Sequence, residues 1–176
     1  MNSYAVFLRG VNISGKNKIP MGELKACLTR AGFGDVRTKL NSGNIVLTAA
    51  EADVREKVES AIGETFGLRV PVFVLPMEKL EDILLHAPGW WGTEDKNLYD
   101  NLIFILSDDT PAEIAALLGE PSEGLERVEI YRNVIFWTFD QQAYQKCSWW
   151  KRTAASGIAD RLTIRTAGTL RKLTVN

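Results

Sequence analysis

The sequence predicts an α+β protein with antiparallel sheets, built from two halves that follow one βαββαβ order, the second of them irregular. Three observations lead there. The first 76 residues read as β, α, β, β, α, β with little chain left over. An Asn41-Ser42-Gly43 turn joins two of those strands as a hairpin, which requires antiparallel pairing. A second βαββ pattern begins near Asn97.

Taken in order, Ser3–Arg9 alternates and is rich in Val, Phe and Leu, as a half-buried strand does. Pro20 opens a helix that carries Met21, Leu24, Leu28 and Ala31 at helical spacing. Proline is tolerated there because the first turn does not need its missing N–H. Gly32 and Gly34 end that helix. Val36–Leu40 and Asn44–Thr48 are the hairpin strands, Ala52–Phe66 is a helix with Val54, Val58, Ala61, Ile62 and Thr65 on one face, and Val70–Leu75 is a strand. This is the ferredoxin-like unit, or α/β plait.

Residues 77–95 connect, through a short helix over Met77–Ala87 and a Pro-Gly-Trp-Trp-Gly loop. The second pattern comprises strand Asn97–Leu106, helix Pro111–Leu118 and strands Arg127–Tyr131 and Val134–Phe139, with Tyr131-Arg132-Asn133 as a hairpin turn. Gln141–Ala159 reads as helical, Leu162–Arg165 as briefly extended, and Gly168–Leu173 as a closing helix. The expected domains are therefore 1–76 and 96–176, the latter with a helical tail. One continuous α+β domain with a long mixed sheet is the alternative.

Composition bounds the function. Apolar residues make up 45% of the chain, enough for an ordinary core, yet no apolar run reaches transmembrane length, so no membrane partner is expected. The N-terminus lacks the pattern of a signal peptide, and Cys27 and Cys147 form neither a metal spacing nor a disulfide framework, which points to a reduced cytoplasm. No cofactor is expected. The net charge of -1 hides a pattern: +5 over residues 1–47, -12 over 48–140 and +6 over 141–176. Two basic ends could make one positive surface for an anionic partner, or the charges could simply be solvated.

One motif invites a nucleotide reading. Gly10-x-x-x-x-Gly15-Lys16-Asn17 is one residue short of a P-loop, which asks for Ser or Thr after the lysine. Three features oppose it. Lys16 lies too far before Pro20 to sit in the first turn of the helix, where backbone N–H groups and the dipole meet phosphates. Asn17 replaces the magnesium-holding hydroxyl. P-loops also belong to parallel sheets, and this order predicts an antiparallel one. The acid-ended strand Leu102–Asp108 is the one feature in favour, and such strand ends are common.

The topology suggests another use. In a ferredoxin-like sheet the end of the first strand lies beside the start of the third. Arg9, Asn12, Lys16, Asn17 and Lys18 would then converge with Asn41, Ser42 and Asn44, giving cations, amide donors and flexible glycine backbone suited to a phosphate or carboxylate. Turn geometry alone would also explain the Asn, Ser and Gly residues. The expected partner is a small anionic or phosphorylated ligand. An enzyme acting on such a ligand in the same pocket ranks lower, since no acid–base pair or nucleophile accompanies it. An interaction module for nucleic acid or protein is the remaining alternative.

The stretches Phe7–Met21 (FLRGVNISGKNKIPM) and Leu40–Val46 (LNSGNIV) closely resemble the bacterial family catalogued as domain of unknown function 1697. Its pattern is an LRGINVGGKNK-P-M loop followed by a QSGNVVF-like turn. The resemblance is specific over residues 4–48 and looser beyond, and the lengths agree end to end. It implies paired ferredoxin-like domains and candidate positions, and brings no particular activity with it. The family's closing T-x-RNWNT-x-x-KL motif is matched by Thr163-Ile164-Arg165 and by Thr169 to Leu173, while Thr166, Ala167 and Gly168 replace its Asn, Trp and Asn. The resemblance adds Arg165 and Lys172 to the candidate set.

The remaining candidates read as structural. His86 follows Leu84-Leu85 near a helix end without a marked carboxylate partner, and Cys27 lies beside an apolar helix face. Cys147 has cations nearby that could lower its pKa but no histidine base. Trp149 and Trp150 beside Lys151 and Arg152 could stack nucleic-acid bases. Nucleic acid is not favoured, however, because the third strand carries no aromatic residue and the first only Tyr4 and Phe7.

Overall fold

The computed structural model describes residues 1–50 and 52–175. Its elements begin with β1 (Asn2–Leu8), α1 (Met21–Arg30), β2 (Gly34–Lys39), β3 (Asn44–Ala49), α2 (Val54–Phe66) and β4 (Val72–Pro76). The four strands form one antiparallel sheet in the order β2-β3-β1-β4. That is the ferredoxin-like order, in which each of the two central strands leads into a helix and the chain returns from it to an edge strand.

Sequence chemistry explains the helices. Pro20 caps α1 in an extended conformation, and Glu23 in the first turn with Arg30 in the last complement the helix dipole. The helix α2 ends on Gly67, left-handed at φ 65°, whose N–H returns to the Gly63 carbonyl. Leu24 and Leu28 of α1 and Val58 and Ile62 of α2 are fully buried against Val6, Ile45, Leu47 and Val72 of the sheet. Each such side chain contributes about 1.5–3 kcal/mol relative to exposure.

The chain continues with α3 (Met77–Leu85), β5 (Leu98–Ile105), α4 (Pro111–Leu118), β6 (Glu126–Tyr131), β7 (Val134–Asp140), α5 (Ser148–Thr153), β8 (Leu162–Thr166) and α6 (Ala167–Thr174). Its strands form a second antiparallel sheet, β6-β7-β5-β8, the same order again. Helix α4 starts with a full capping box between Thr110 and Glu113 and has Pro111 in its first turn. The chain thus holds two ferredoxin-like halves rather than one long mixed sheet. By their internal contacts, the compact units are Met1–Asp82 together with the chain from Arg171, and Ile83–Leu170.

The second half departs from expectation between its last hairpin and β8. The predicted helix over Gln141–Ala159 is only the six-residue α5, flanked by single 3-10 turns at Tyr144–Lys146 and Ala159–Arg161. The Asp140 carboxylate accepts from the N–H groups of Gln142 and Ala143, holding the chain in a turn where a helix would otherwise begin. Beyond α5, Gly157 is left-handed at φ 81° and turns the chain toward β8. Hydrophobic spacing shows neither device.

Candidate functional site

Strand β1 ends at Leu8, whose N–H donates to the Gly43 carbonyl (2.8 Å), and the next N–H, of Arg9, donates to Pro71 (3.0 Å). The loop after β1 therefore leaves the sheet beside the β2–β3 turn. It folds back on itself as a miniature hairpin. Lys16 donates its N–H to Ile13 (2.9 Å), and Asn12 donates its N–H to Asn17 (3.1 Å). Ser14 and Gly15 at the tip both have positive φ, 50° and 74°, as a two-residue hairpin turn of this hand requires. Asn12 (φ 56°), Asn17 (φ 48°) and Gly10 (φ 72°) are left-handed as well. Asparagine and glycine tolerate that region, which accounts for the loop's composition.

The amides lock this shape. Asn12 Nδ2 donates to the carbonyls of Ile19 (2.9 Å) and Asn41 (2.7 Å), and its Oδ1 accepts from the Ile19 N–H (2.8 Å). One side chain thereby ties the start of the loop to its end and to the neighbouring turn. Asn17 Nδ2 donates to the Gly10 carbonyl (3.0 Å). The buried Asn44 donates to the Lys39 carbonyl (3.1 Å) and to Ser42 Oγ (2.9 Å), closing the turn from inside. The roles sketched from sequence shift accordingly: the Asn12, Asn17 and Asn44 donors are engaged in holding loop and turn, whereas the exposed Asn41 uses only its backbone carbonyl.

What the loop presents outward is charge and some apolar surface. Every residue from Ile13 to Lys18 is exposed, so the assembly is a projecting finger rather than a pocket. Among the described residues neither Lys16 nor Lys18 makes an ion pair, and Arg9 is half-buried at the base. Ile13 is 58% exposed and Leu40 50% exposed, and Leu40 is held left-handed at φ 59°. A bulky residue in that region is an outlier of the sort that gathers at binding sites. Neither residue is among the candidates drawn from the sequence. An isoleucine inside an otherwise polar loop and a leucine abutting an Asn-Ser-Gly turn are the signals that could have marked them.

Lys16 sits at the tip of the finger, away from the start of α1 at Met21, so no helix N-terminus meets it and the P-loop reading fails on geometry. Arg165 lies in β8, within the second unit, where its Nη1 donates to Thr163 Oγ1 and to the Ile164 carbonyl, both at 3.0 Å. Burial pushes its pKa down to about 10, which still leaves it a cation at neutral pH. Lys172 is exposed near the end of α6, in the stretch grouped with the first unit.

The other sequence candidates have structural places. Trp149 is 1% exposed and donates Nε1–H to the Gly119 carbonyl (2.8 Å), while Trp150 meets the edge of Tyr144, so the pair does not form a stacking platform. His86 stacks on Tyr131 with ring centres 5.0 Å apart. Cys27 lies against the Ala61 carbonyl and Thr65 on α2. Both thiols are free and buried. Burial, then the charges of Glu126 and Asp140, push the Cys147 thiol up, the opposite of an activated nucleophile. Neither cysteine should react with an aromatic disulfide reagent at pH 8 in the native chain, and both should react once it is unfolded; fast native labelling of Cys147 would contradict its place in the core. Among the described residues no group of three His, Cys, Asp or Glu is arranged to hold a metal, and no helix is long and apolar enough to cross a membrane.

Comparison with known proteins bears on the family and the fold. No curated protein matches the chain. A solved structure, that of the conserved bacterial protein SP0830 from Streptococcus pneumoniae, is similar with a TM-score of 0.83 and 27% identity, covering 98% of this chain and 96% of that one. An unknown protein from Galdieria sulphuraria matches at 12% identity over 94% of this chain and 96% of that one, but with a TM-score of 0.26. The family model described as "Protein of unknown function (DUF1697)" matches residues 1–136. That span holds the whole finger and turn and stops before Arg165 and Lys172. With most of its length inside that match, this chain belongs to the DUF1697 family of proteins of unknown function.

Proposed function

We propose that this protein binds a small anionic, phosphorylated ligand at the Arg9–Lys18 finger and the Asn41–Asn44 turn. The supporting observation is a pair of exposed lysines, Lys16 and Lys18, without ion pairs, on a loop whose backbone is locked by Asn12, Asn17 and Asn44. A locked loop loses little conformational entropy on binding, so its charges act on a ligand at full effect. Arg9, Lys16 and Lys18 neutralise the anion, and Asn41 and Ser42 orient it. The compartment we assign is the cytoplasm, where two buried free thiols persist without an oxidising partner.

A polyanion or protein partner is the second reading, favoured by the exposed Ile13 and Leu40 on the same projecting surface. One titration series separates the two. Sugar phosphates, nucleotides, polyphosphate and short oligonucleotides are added to the wild type and to a Lys16→Ala/Lys18→Ala double variant, with melting temperature and affinity read at several salt concentrations. The small-ligand reading expects a monomeric phosphate to raise the melting temperature of the wild type, and the double variant to lose about tenfold or more in affinity. Binding confined to the polymers, falling steeply with salt, supports the second reading. No response to any anion overturns the small-ligand and polyanion readings and favours a structural turn or a protein partner.

A further inference from the structure

The second unit holds a cavity on the face of its sheet turned away from α4 and α5. About 580 Å3 in volume, it is lined by Trp90 and Asp95 of the chain before β5, Leu98 of β5, Arg127 of β6, and Thr138 and Asp140 of β7. These strand residues share one face, since Leu98 stands opposite Asp140 and Arg127 opposite Thr138. The alternate residues Trp137 and Phe139 turn to the other side, into the apolar cluster with Ile114, Leu118 and Trp149. The Glu126 carboxylate faces that cluster too, bonded to Trp137 and Trp149, and takes no part here.

The fold leaves several groups of this cavity unused. Trp90 and Trp91 are adjacent, but only Trp91 is built into the unit. It is 5% exposed, donates Nε1–H to the Asn101 carbonyl (2.7 Å) and meets Phe136 edge-on with ring centres 5.0 Å apart. Trp90 is half-buried, and among the described residues its indole makes neither a hydrogen bond nor a ring contact. The two carboxylates flank Asn97, whose N–H donates to Asp95 Oδ1 (2.9 Å) and whose carbonyl accepts from Gln141 (2.8 Å), the residue after Asp140. Asp140 Oδ1 accepts from Gln142 and Ala143, so each carboxylate keeps its Oδ2 without a partner among the described residues. Arg127 is exposed and makes no ion pair among them. Asp100, opposite Thr138 on the same face, does not line the cavity but adds a third negative charge beside its floor.

Carboxylate oxygens beside an aromatic ring suit an organic ammonium, which gains charge-assisted hydrogen bonds and a cation–π contact. A guanidinium in the same cavity suits a carboxylate, which it can hold with two parallel N–H donors. A ligand that satisfies both is a zwitterion, and Trp90 and Leu98 offer apolar surface for the rest of it. The volume lies within the range of small-molecule pockets. Phosphate is disfavoured by the two carboxylates, which sets this cavity apart from the finger. We infer that it is a second ligand site, which takes a free apolar α-amino acid, with the ammonium between Asp95 and Asp140, the carboxylate on Arg127 and the side chain against Trp90.

L-Phenylalanine is the probe, titrated calorimetrically near neutral pH into the wild type, Asp95→Asn/Asp140→Asn, Arg127→Gln, Trp90→Leu and Lys16→Ala/Lys18→Ala. Asparagine keeps the oxygen that accepts from Asn97, or from Gln142 and Ala143, while removing the charge. That double variant is therefore expected to fold, with circular dichroism as the check. The inference expects wild-type binding that weakens by about tenfold or more in Asp95→Asn/Asp140→Asn and in Arg127→Gln, weakens in Trp90→Leu, and persists in the lysine double variant. Phenethylamine, which lacks the carboxylate, should bind the wild type more weakly than L-phenylalanine does and lose nothing in Arg127→Gln. L-Phenylalanine binding that is unchanged in Asp95→Asn/Asp140→Asn or in Arg127→Gln overturns the inference. Phenethylamine binding as tightly as L-phenylalanine overturns the amino-acid assignment. Absence of binding at millimolar probe overturns the site itself and leaves the finger to be judged by its own ligands.

Discussion

Glu126→Ala is expected to destabilise the second unit by about 4 kcal/mol, the largest effect of any single substitution considered for this chain. The Glu126 side chain is 7% exposed, and both of its oxygens serve as acceptors. Ser122 N–H donates to Oε2 (2.8 Å), Trp137 Nε1–H to Oε1 (3.3 Å), Ser148 Oγ to Oε2 (3.3 Å), and the Trp149 N–H to both (3.2 and 3.3 Å). The carboxylate of β6 thereby caps the first turn of α5 from across the unit and holds Trp149 in the core. Removing it strands several buried donors, each costing about 1–3 kcal/mol with partial relief by water. Glu126→Gln should recover only part, because an amide NH2 turns donors toward the N–H groups of Ser122, Trp137 and Trp149, which can only donate. Chemical denaturation of the three proteins, followed by tryptophan emission, checks the order. A glutamine variant as stable as the wild type would show that the charge is not what the network requires.

Gly43→Ala is expected to cost about 3 kcal/mol in the first unit and to weaken the binding proposed at the finger. Gly43 is left-handed at φ 78°, and a Cβ built on it would lie 2.6 Å from the Leu8 Cβ and 2.9 Å from Val11 Cγ2. The left-handed conformation contributes roughly 1–2 kcal/mol of that, and forcing a methyl into a packed core a further 1–3. Leu8 and Val11 are each 1% exposed and bracket the root of the finger, so they cannot yield without moving it. Hydrogen exchange at the Leu8 amide, which donates to the Gly43 carbonyl, reads the displacement directly. Protection there equal to wild type would mean that the turn absorbs the methyl and the root does not move. Asn12→Ala makes a useful comparison: it removes three side-chain hydrogen bonds while leaving that root in place.

The two variants also distinguish how a chain like this is organised. Glu126 acts within Ile83–Leu170 and Gly43 within Met1–Asp82, and each unit has its own sheet and its own apolar cluster. Segment-specific hydrogen exchange on either variant should therefore show the loss concentrated in the unit that carries the substitution.

The order of strands and helices was legible in the sequence because each depends on neighbours in the chain. Alternation in Ser3–Arg9, the helical stripe from Met21 to Ala31, the Asn-Ser-Gly turn and the helix opened by Pro111 all act over a few residues. The βαββαβ order then allows few sheets, and the chain adopts the ferredoxin-like one twice. The nearness of the Arg9–Lys18 loop to the Asn41–Asn44 turn follows from that order alone. What tertiary structure decided is what each polar group is for. Asn12 bonds to Ile19 and to Asn41, Glu126 caps a helix that begins at Ser148, and Thr48 Oγ1 has no partner among the described residues. A sequence lists donors and acceptors, but whether a side chain binds its own fold or remains open to a ligand depends on what lies within about 3 Å of it in space, and residues far along the chain supply that.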